Sequence, residues 1–332
     1  MTDTIVVAGA TGAVGRHVAA LLANRGKPVI AMSRHAEAAR DVANPLSGAV
    51  GRAGRWTDSS GVEDIEPGTV VNCTGIEDTR AVQAWRDAGW AVIDITASSP
   101  YALELAGAPT DGPPLVVGVG LIPGLTSVLA RDLIANAPDS TSITISCLVG
   151  LGEEYGDASR DWTYSQLGRT ITTRRDTFRN FSQSDTIDFP AGFGARPAWR
   201  FDFADRALLP DHLGVEVTTR YCFDSRIAGR ALALASAVPT AARLLQRVNK
   251  ASRRTVAGGT AWWAGVIETD TGRRTTAIGR GQSQGTAAIA AVAAERLTQA
   301  HAPAARHLWD LVTAAELVQD VASLGILVHT NT

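Results

Sequence analysis

Gly9, Gly12 and Gly15 recur at every third position in the run Gly9-Ala10-Thr11-Gly12-Ala13-Val14-Gly15. Glycines spaced in this way let a backbone turn tightly and approach a pyrophosphate closely, while the free amides of a helix that follows offer the anion the positive end of a dipole. Ser33 and Arg34 present a hydroxyl beside a planar guanidinium, a pair suited to binding a phosphate monoester. Cys73, Thr74, Gly75 and Asp94 close two further apolar runs, and Asp58 is placed to accept from an amino group. In the second half, residues 150–164 crowd glycines, acids, an arginine and two tyrosines. Glu154, Tyr155, Arg160 and Tyr164 could there supply a general acid and a cation for a carboxylate. His212 is a second acid–base candidate because imidazole titrates near neutrality, although a surface histidine fits the same segment.

These residues need elements to hold them. Residues 4–8 (TIVVA) are apolar on both faces, as in a parallel strand covered by helices on each side. Val14, Val18, Leu21 and Leu22 then mark an amphipathic helix, so the glycine run is a strand–turn–helix junction. Its spacing is GxxGxxG and not the GxGxxG of the common dinucleotide fingerprint, and a turn that merely packs a helix on a sheet would use the same glycines. The second strand, 28–32 (PVIAM), ends at Ser33-Arg34, where an NAD-specific site places an acid for the ribose hydroxyls. This predicts NADP(H) over NAD(H), by tenfold to a hundredfold on the order of 1.5–3 kcal/mol per charged hydrogen bond; the alternative leaves Arg34 as a solvated loop residue. Residues 68–75 (GTVVNCTG), 90–95 (WAVIDI) and 115–118 (LVVG) read as further strands. Ligands of an open parallel sheet lie outside its carboxyl ends, which makes Cys73, Thr74, Gly75 and Asp94 cleft candidates. Helix capping or structural hydrogen bonding accounts equally for Asp58 and Asp94.

Past residue 139 the pattern changes. Residues 142–148, 215–223 and 260–269 are long β-rich runs, with 275–279 returning from a turn at Asp270-Thr271-Gly272. Helices are predicted at 161–181, 227–248, 285–300 and 304–324. Runs of strands after a βαβ half indicate an α+β domain. Trp162, Trp262 and Trp263 are candidates to wall a substrate pocket, with core or interface aromatics as the competing reading; adjacent Trp262 and Trp263 point to opposite faces of a strand.

Composition removes several classes. Lys+Arg at 31 against Asp+Glu at 33 leaves no positive field for nucleic acid or an anionic membrane. Lys27 and Lys250 are the only lysines, and neither has the flanks of a Schiff-base, pyridoxal phosphate or Walker-type lysine. Neither follows a tyrosine by four positions, which excludes the Tyr-x-x-x-Lys pair of short-chain dehydrogenases. Cys73, Cys147 and Cys222 form no CxxC pair and the histidines no HxxxH or HExxH spacing, so neither a disulfide framework nor a metal site is expected. The opening residues lack the basic stretch and long apolar core of a secretion signal. Residues 287–294, followed by Glu295 and Arg296, are too short to span a bilayer. The expectation is a cytoplasmic, soluble protein, and the Ala/Leu-rich helix near 227–245 suggests a homodimer.

Taken together, the GATGAVG run, the VVNCTG strand end and Gly118-Val119-Gly120-Leu121-Ile122-Pro123-Gly124-Leu125-Thr126-Ser127, leading into Leu129-Ala130-Arg131-Asp132-Leu133, resemble the saccharopine dehydrogenase-like (saccharopine reductase) family of oxidoreductases over roughly residues 4–135. The resemblance implies an α/β fold: an N-terminal Rossmann parallel sheet over 1–125, a second α+β domain on a mixed sheet over 126–284 for substrate and dimerisation, and C-terminal helices over 285–332 returning toward the first domain. By position, Gly9, Thr11, Gly12, Ala13, Val14 and Gly15 would cradle the pyrophosphate, Ser33 and Arg34 the adenosine phosphate, and Cys73, Thr74 and Gly75 the nicotinamide side, with Pro123 and Gly124 facing the nicotinamide ribose. The activity implied is NADPH-dependent reduction of an imine of a small metabolite. A carbonyl or activated C=C reductase and a non-catalytic NADP(H)-binding redox sensor are the alternatives. At 332 residues the chain is short for that family, and its second half offers no motif to match.

Overall fold

The computed structural model describes residues 2–152, 157–173, 175–238, 259–300 and 305–331. The chain divides into two compact units, Met1–Val128 with Ser283–Leu324, and Leu129–Gln282 with Gly325–Thr332.

The first unit is built on six parallel strands: β1 Ile5–Ala8, β2 Val29–Ser33, β3 Ala49–Ala53, β4 Thr69–Asn72, β5 Ala91–Asp94 and β6 Leu115–Val116, ordered β3-β2-β1-β4-β5-β6. Every residue of β1, β2, β4 and β5 is buried, as continuous β-branched runs require when both faces are covered. The helices between these strands are α1 Ala13–Asn24, α2 Ala36–Ala43, α3 Thr79–Asp87 and α4 Ser99–Ala106, and the unit also takes in the later helices Gln282–Ala300 and Ala314–Ala322. On α1 the buried residues Gly15, Val18, Ala19, Leu22 and Ala23 follow the helical period. Gly15 is obligatory there, since a Cβ would lie 2.2 Å from the Gly9 carbonyl oxygen. Trp56 stacks on Trp85 at 5.8 Å and Trp90 meets Trp85 edge-on at 5.6 Å. The Trp85 indole N–H donates to the Trp56 carbonyl at 2.8 Å, anchoring the turn that follows β3.

The second unit carries a seven-stranded mixed sheet, β10-β11-β12-β7-β13-β14-β15, and a separate β8–β9 hairpin. The strands are β7 Ser142–Val149, β8 Thr170–Thr172, β9 Thr177–Arg179, β10 Ser184–Phe189, β11 Gly194–Arg200, β12 Glu216–Phe223, β13 Trp262–Thr269, β14 Arg274–Arg280 and β15 Leu327–Asn331. β12 runs parallel to β7 and the other neighbours are antiparallel. One face of the sheet packs Phe181, Phe201, Phe203, Tyr221 and Phe223 into an aromatic cluster whose closest centroids, Phe201 and Phe203, are 4.7 Å apart. Such pairs add about 0.5–1.5 kcal/mol each beyond burial. Leu148, Cys222, Ala264, Val266 and Ile278 form a second core with Phe189 and Ala198.

Two expectations are corrected here. The helix expected over 161–181 is α5, Asp157–Ser165, and it gives way to the β8–β9 hairpin. Gly168, at φ 71, takes a left-handed conformation after the helix, and the β-branched residues Thr170, Ile171 and Thr172 favour an extended chain. The C-terminal segment is helical at Ala314–Ala322 but ends in strand β15, which pairs with β14. The isolated stretch 327–331 is too short to be told from a loop by pattern alone. Among the described residues no helix is long and apolar enough to cross a membrane.

Candidate nucleotide site

Strand order in the first unit reverses between β1 and β4, whose neighbours lead away in opposite directions. A crevice opens outside the carboxyl ends of the strands at such a switch point. The residues at its edge are Gly9, following β1, and Cys73, following β4. Gly9 has φ 80, and a Cβ on it would lie 2.9 Å from the Cys73 carbonyl carbon and oxygen and 3.0 Å from the Thr74 Cα. The two turns are therefore in direct backbone contact. Only a glycine satisfies both the dihedral and the space.

The turn is closed by the Gly12 N–H donating to the Gly9 carbonyl at 2.9 Å. Gly12 then serves as the N-cap of α1 without a side-chain capping bond, and the first turn of α1 carries no acid. The positive end of the helix is thus left to backbone amides, an arrangement that fits a dinucleotide pyrophosphate. Thr11 and Gly12 are exposed and Ala13 and Val14 half-buried. Arg16, unremarked in the sequence, lies over this loop, its guanidinium donating to the Gly12 carbonyl at 3.2 Å and the Thr11 carbonyl at 3.4 Å. A cation following the last glycine of the run by one position was the available signal.

At the end of β2, Arg34 is exposed and makes no ion pair among the described residues. Ser33 is placed differently from its expected role. It is 8% exposed, its hydroxyl donates to the His35 carbonyl at 2.8 Å, and it accepts from the His35 N–H at 3.2 Å. That proton is committed to a local turn, which leaves Arg34 as the exposed donor at this strand end. Asp58 is exposed on the turn after β3, where its carboxylate accepts from the Ser60 N–H at 3.1 Å. Hydrogen bonding to Ser60 holds it below the usual carboxylate range. Of the two structural roles expected, the one it performs here is a local hydrogen bond and not a helix cap.

Asp94 does not face a cleft. It is 1% exposed at the end of β5. One carboxylate oxygen accepts from the Thr96 N–H at 2.9 Å, and the other accepts from the Asn72 amide at 2.8 Å and the Tyr101 hydroxyl at 3.4 Å. Burial outweighs these bonds and lifts its pKa to about 6. Cys73, half-buried, is pushed up by desolvation and by Asp94, which makes it a poor nucleophile. Pro123 and Gly124 are buried in the turn after β6, following a cis Ile122–Pro123 peptide. The Gly124 N–H reaches the Ser127 hydroxyl at 3.3 Å, and the Val119 N–H donates to the Asp94 carbonyl at 3.0 Å. Asn72, Thr96 and Tyr101 were not singled out by sequence, although Asn72 stands out as an amide ending the β-branched run 69–71.

The catalytic candidates lie in the second unit. Tyr164 is half-buried on α5, and His212 is exposed on the short helix Pro210–Leu213. Glu154 and Tyr155 fall outside the described residues, as does the side chain of Arg160. Trp162 packs on Phe201 and Phe203 at 5.7 and 6.0 Å, which makes it part of the aromatic core. Trp263 is buried against Gly279, and Trp262, 36% exposed on the opposite face, meets the Arg280 guanidinium at 5.3 Å. Among the described residues no group of three or more metal-ligating side chains is present.

Residues 5–102 match the model of the NAD dependent epimerase/dehydratase family. They form a Rossmann-type NAD(P)-binding unit. No curated protein matches the chain. Among solved structures, an actinorhodin polyketide ketoreductase with NADPH is 17% identical, with 50% of this chain and 84% of that one covered at a TM-score of 0.27. A dipicolinate-bound dihydrodipicolinate reductase from Paenisporosarcina sp. is 8% identical, with 90% and 96% covered and a TM-score of 0.39. At these values neither likeness bears on chemistry. The matched stretch, from β1 into α4, holds the glycine loop, Arg34, Asn72 and Asp94.

Proposed function

We propose that the protein is an NADPH-dependent oxidoreductase that reduces a C=N bond of a small metabolite. The observation that carries the cofactor reading is the uncapped α1 N-terminus behind the Gly9-Gly12-Gly15 loop, at the point where strand order reverses. Bound NADPH would supply the hydride. The protein's part is to bind the pyrophosphate on the amides of residues 12–15, to take the 2′-phosphate on exposed Arg34, and to hold the turn at residues 73–75 against the glycine loop.

Support for imine reduction comes from the motif resemblance and from economy of means. A protonated iminium is already a strong electrophile, so orientation and exclusion of water suffice. The missing Tyr-x-x-x-Lys pair weighs against the carbonyl chemistry of short-chain dehydrogenases. Tyr164 is proposed as proton donor and Arg160 as carboxylate partner in the second unit. The test is NADPH consumption with panels of amines, carbonyls and their mixtures. Turnover that requires both an amine and a carbonyl supports the reading, and turnover with the carbonyl alone replaces it by a carbonyl reductase. Tight NADPH binding with no hydride transfer to any acceptor replaces it by a sensor. In the same assay Tyr164→Phe and Arg160→Ala should lower turnover and leave NADPH affinity intact. A homodimer is proposed, and light scattering on the purified protein tests it.

A further inference from the structure

The dinucleotide reading makes no use of the buried carboxylate of Asp94, yet that group is wired to the nucleotide site. The wire is a single side chain, Asn72. Its amide nitrogen donates to Asp94 at 2.8 Å and to the Ile76 carbonyl at 3.3 Å, and its amide oxygen accepts from the Thr74 N–H at 3.1 Å and the Thr74 hydroxyl at 2.7 Å. Both amide protons are used and the oxygen receives two donors, so the carboxamide has one workable orientation. The Thr74 hydroxyl in turn accepts from the Ile76 N–H at 3.1 Å. The turn at residues 73–75 is thus held through Asn72, and it touches Gly9 backbone to backbone.

We propose that Asp94, acting through Asn72, is a positioning residue for the nucleotide: it sets the turn at residues 73–75 against the glycine loop, and dinucleotide affinity follows its charge. The inference rests on the reading of residues 9–15 as a dinucleotide loop. An ionised carboxylate is the stronger acceptor for the Asn72 amide, since charge-assisted hydrogen bonds are roughly twice as strong as neutral ones. Protonation weakens the first link, and the Thr74 turn loosens with it. The groups that face Asp94 are Tyr101 from α4, Thr96 from the loop after β5, and Cys73 and Glu77 from the segment after β4. Glu77 also lies 3.4 Å from the Thr96 hydroxyl and adds negative charge. Among the described residues no arginine or lysine hydrogen bond reaches the carboxylate, so its ionisation is set by burial and by these neighbours.

The experiment measures the Kd of NADPH and of NADH from pH 5 to 8, by quenching of tryptophan fluorescence, for wild type, Asp94→Asn and Thr74→Val, with a thermal melt of each. The 2′-phosphate of NADPH titrates near pH 6, so the ratio of wild-type to Asp94→Asn affinity is the readout; NADH lacks that group. The wild type should lose about threefold to tenfold in affinity relative to Asp94→Asn between pH 7.5 and 5, the range a halved charge-assisted bond provides. Thr74→Val should weaken binding several-fold, on the order of one neutral hydrogen bond, with its melting temperature little changed. A ratio constant across pH overturns the proposal while leaving the nucleotide site intact. Should Asp94→Asn fail to fold, Thr74→Val decides: a wild-type Kd overturns the proposal and a weakened one supports it. A wild type that binds neither nucleotide at any pH overturns the nucleotide reading and this inference together.

Discussion

Ionising Asp94 should cost the folded protein about 3 kcal/mol, and the cost should disappear in acid. The magnitude follows from the side chain's lift from 3.8 to about 6, at about 1.4 kcal/mol per pH unit. With 1% of the residue exposed, no discount for solvent screening applies. The sign is fixed by which state holds the proton. Between pH 4 and 6 native Asp94 is protonated and unfolded Asp94 is not, so stability falls as pH rises through this window and is flat above it. Asp94→Asn removes the titration. It also turns an amide N–H₂ toward one of the donors Thr96, Asn72 or Tyr101, a pH-independent penalty of about 1–3 kcal/mol. Denaturant unfolding of both proteins at pH 4.5 and 7.0, followed by fluorescence of the Trp56, Trp85 and Trp90 stack in the same unit, separates the two effects. The stability of wild type relative to variant should drop by about 2 kcal/mol from pH 4.5 to 7.0. Other carboxylates titrate equally in both proteins and cancel. A difference unchanged within about 0.5 kcal/mol, the usual scatter for independent sites, would refute the claim that burial governs this carboxylate.

Gly15→Ala places a Cβ 2.2 Å from the Gly9 carbonyl oxygen. It should destabilise the first unit by about 1–3 kcal/mol or more and abolish nucleotide binding; a variant with wild-type melting and affinity would contradict the packing of α1 on β1. Arg34→Ala should weaken NADPH far more than NADH, by about tenfold or more for one lost charged hydrogen bond, and equal weakening in titrations would sink the 2′-phosphate assignment. Arg206 pairs with Asp202 at 2.6 Å, with side chains 15% and 5% exposed. Arg206→Leu removes this charge-assisted bond from a buried carboxylate and should cost about 1.5–3 kcal/mol, read from denaturant midpoints; a cost below about 1 kcal/mol would place the pair with exposed surface bridges. Burial raises the thiols of Cys147 and Cys222, the latter to about 12, so these two should react slowly with a disulfide reagent at pH 8 in the native protein and be released only in denaturant, while half-buried Cys73 is the first to be labelled. Rapid labelling of all three thiols in the native chain would refute that burial.

The strand–turn–helix at residues 5–24 was legible because each of its signals is local. A continuous β-branched run, glycines at fixed spacing and a helical period leave few arrangements for the backbone. The same holds for β2, β4 and β5, and for the β13–β14 hairpin around Asp270-Thr271-Gly272. The hairpin at 170–179 was hidden because its β-branched run is brief and follows a helical one, and β10, β11 and β15 because their stability comes from neighbours far along the chain. Ser33 and Asp94 show the same division at the level of single side chains. Their types and positions were read from sequence, but their roles depend on His35, Asn72, Thr96 and Tyr101. Local sequence sufficed for where the glycine turn sits and which strands flank it, since glycine sterics and apolar periodicity act over a few residues. Only the tertiary structure decided which polar groups are spent internally and which are offered to a ligand, because burial and hydrogen-bond partners are set by strands that meet across the sheet.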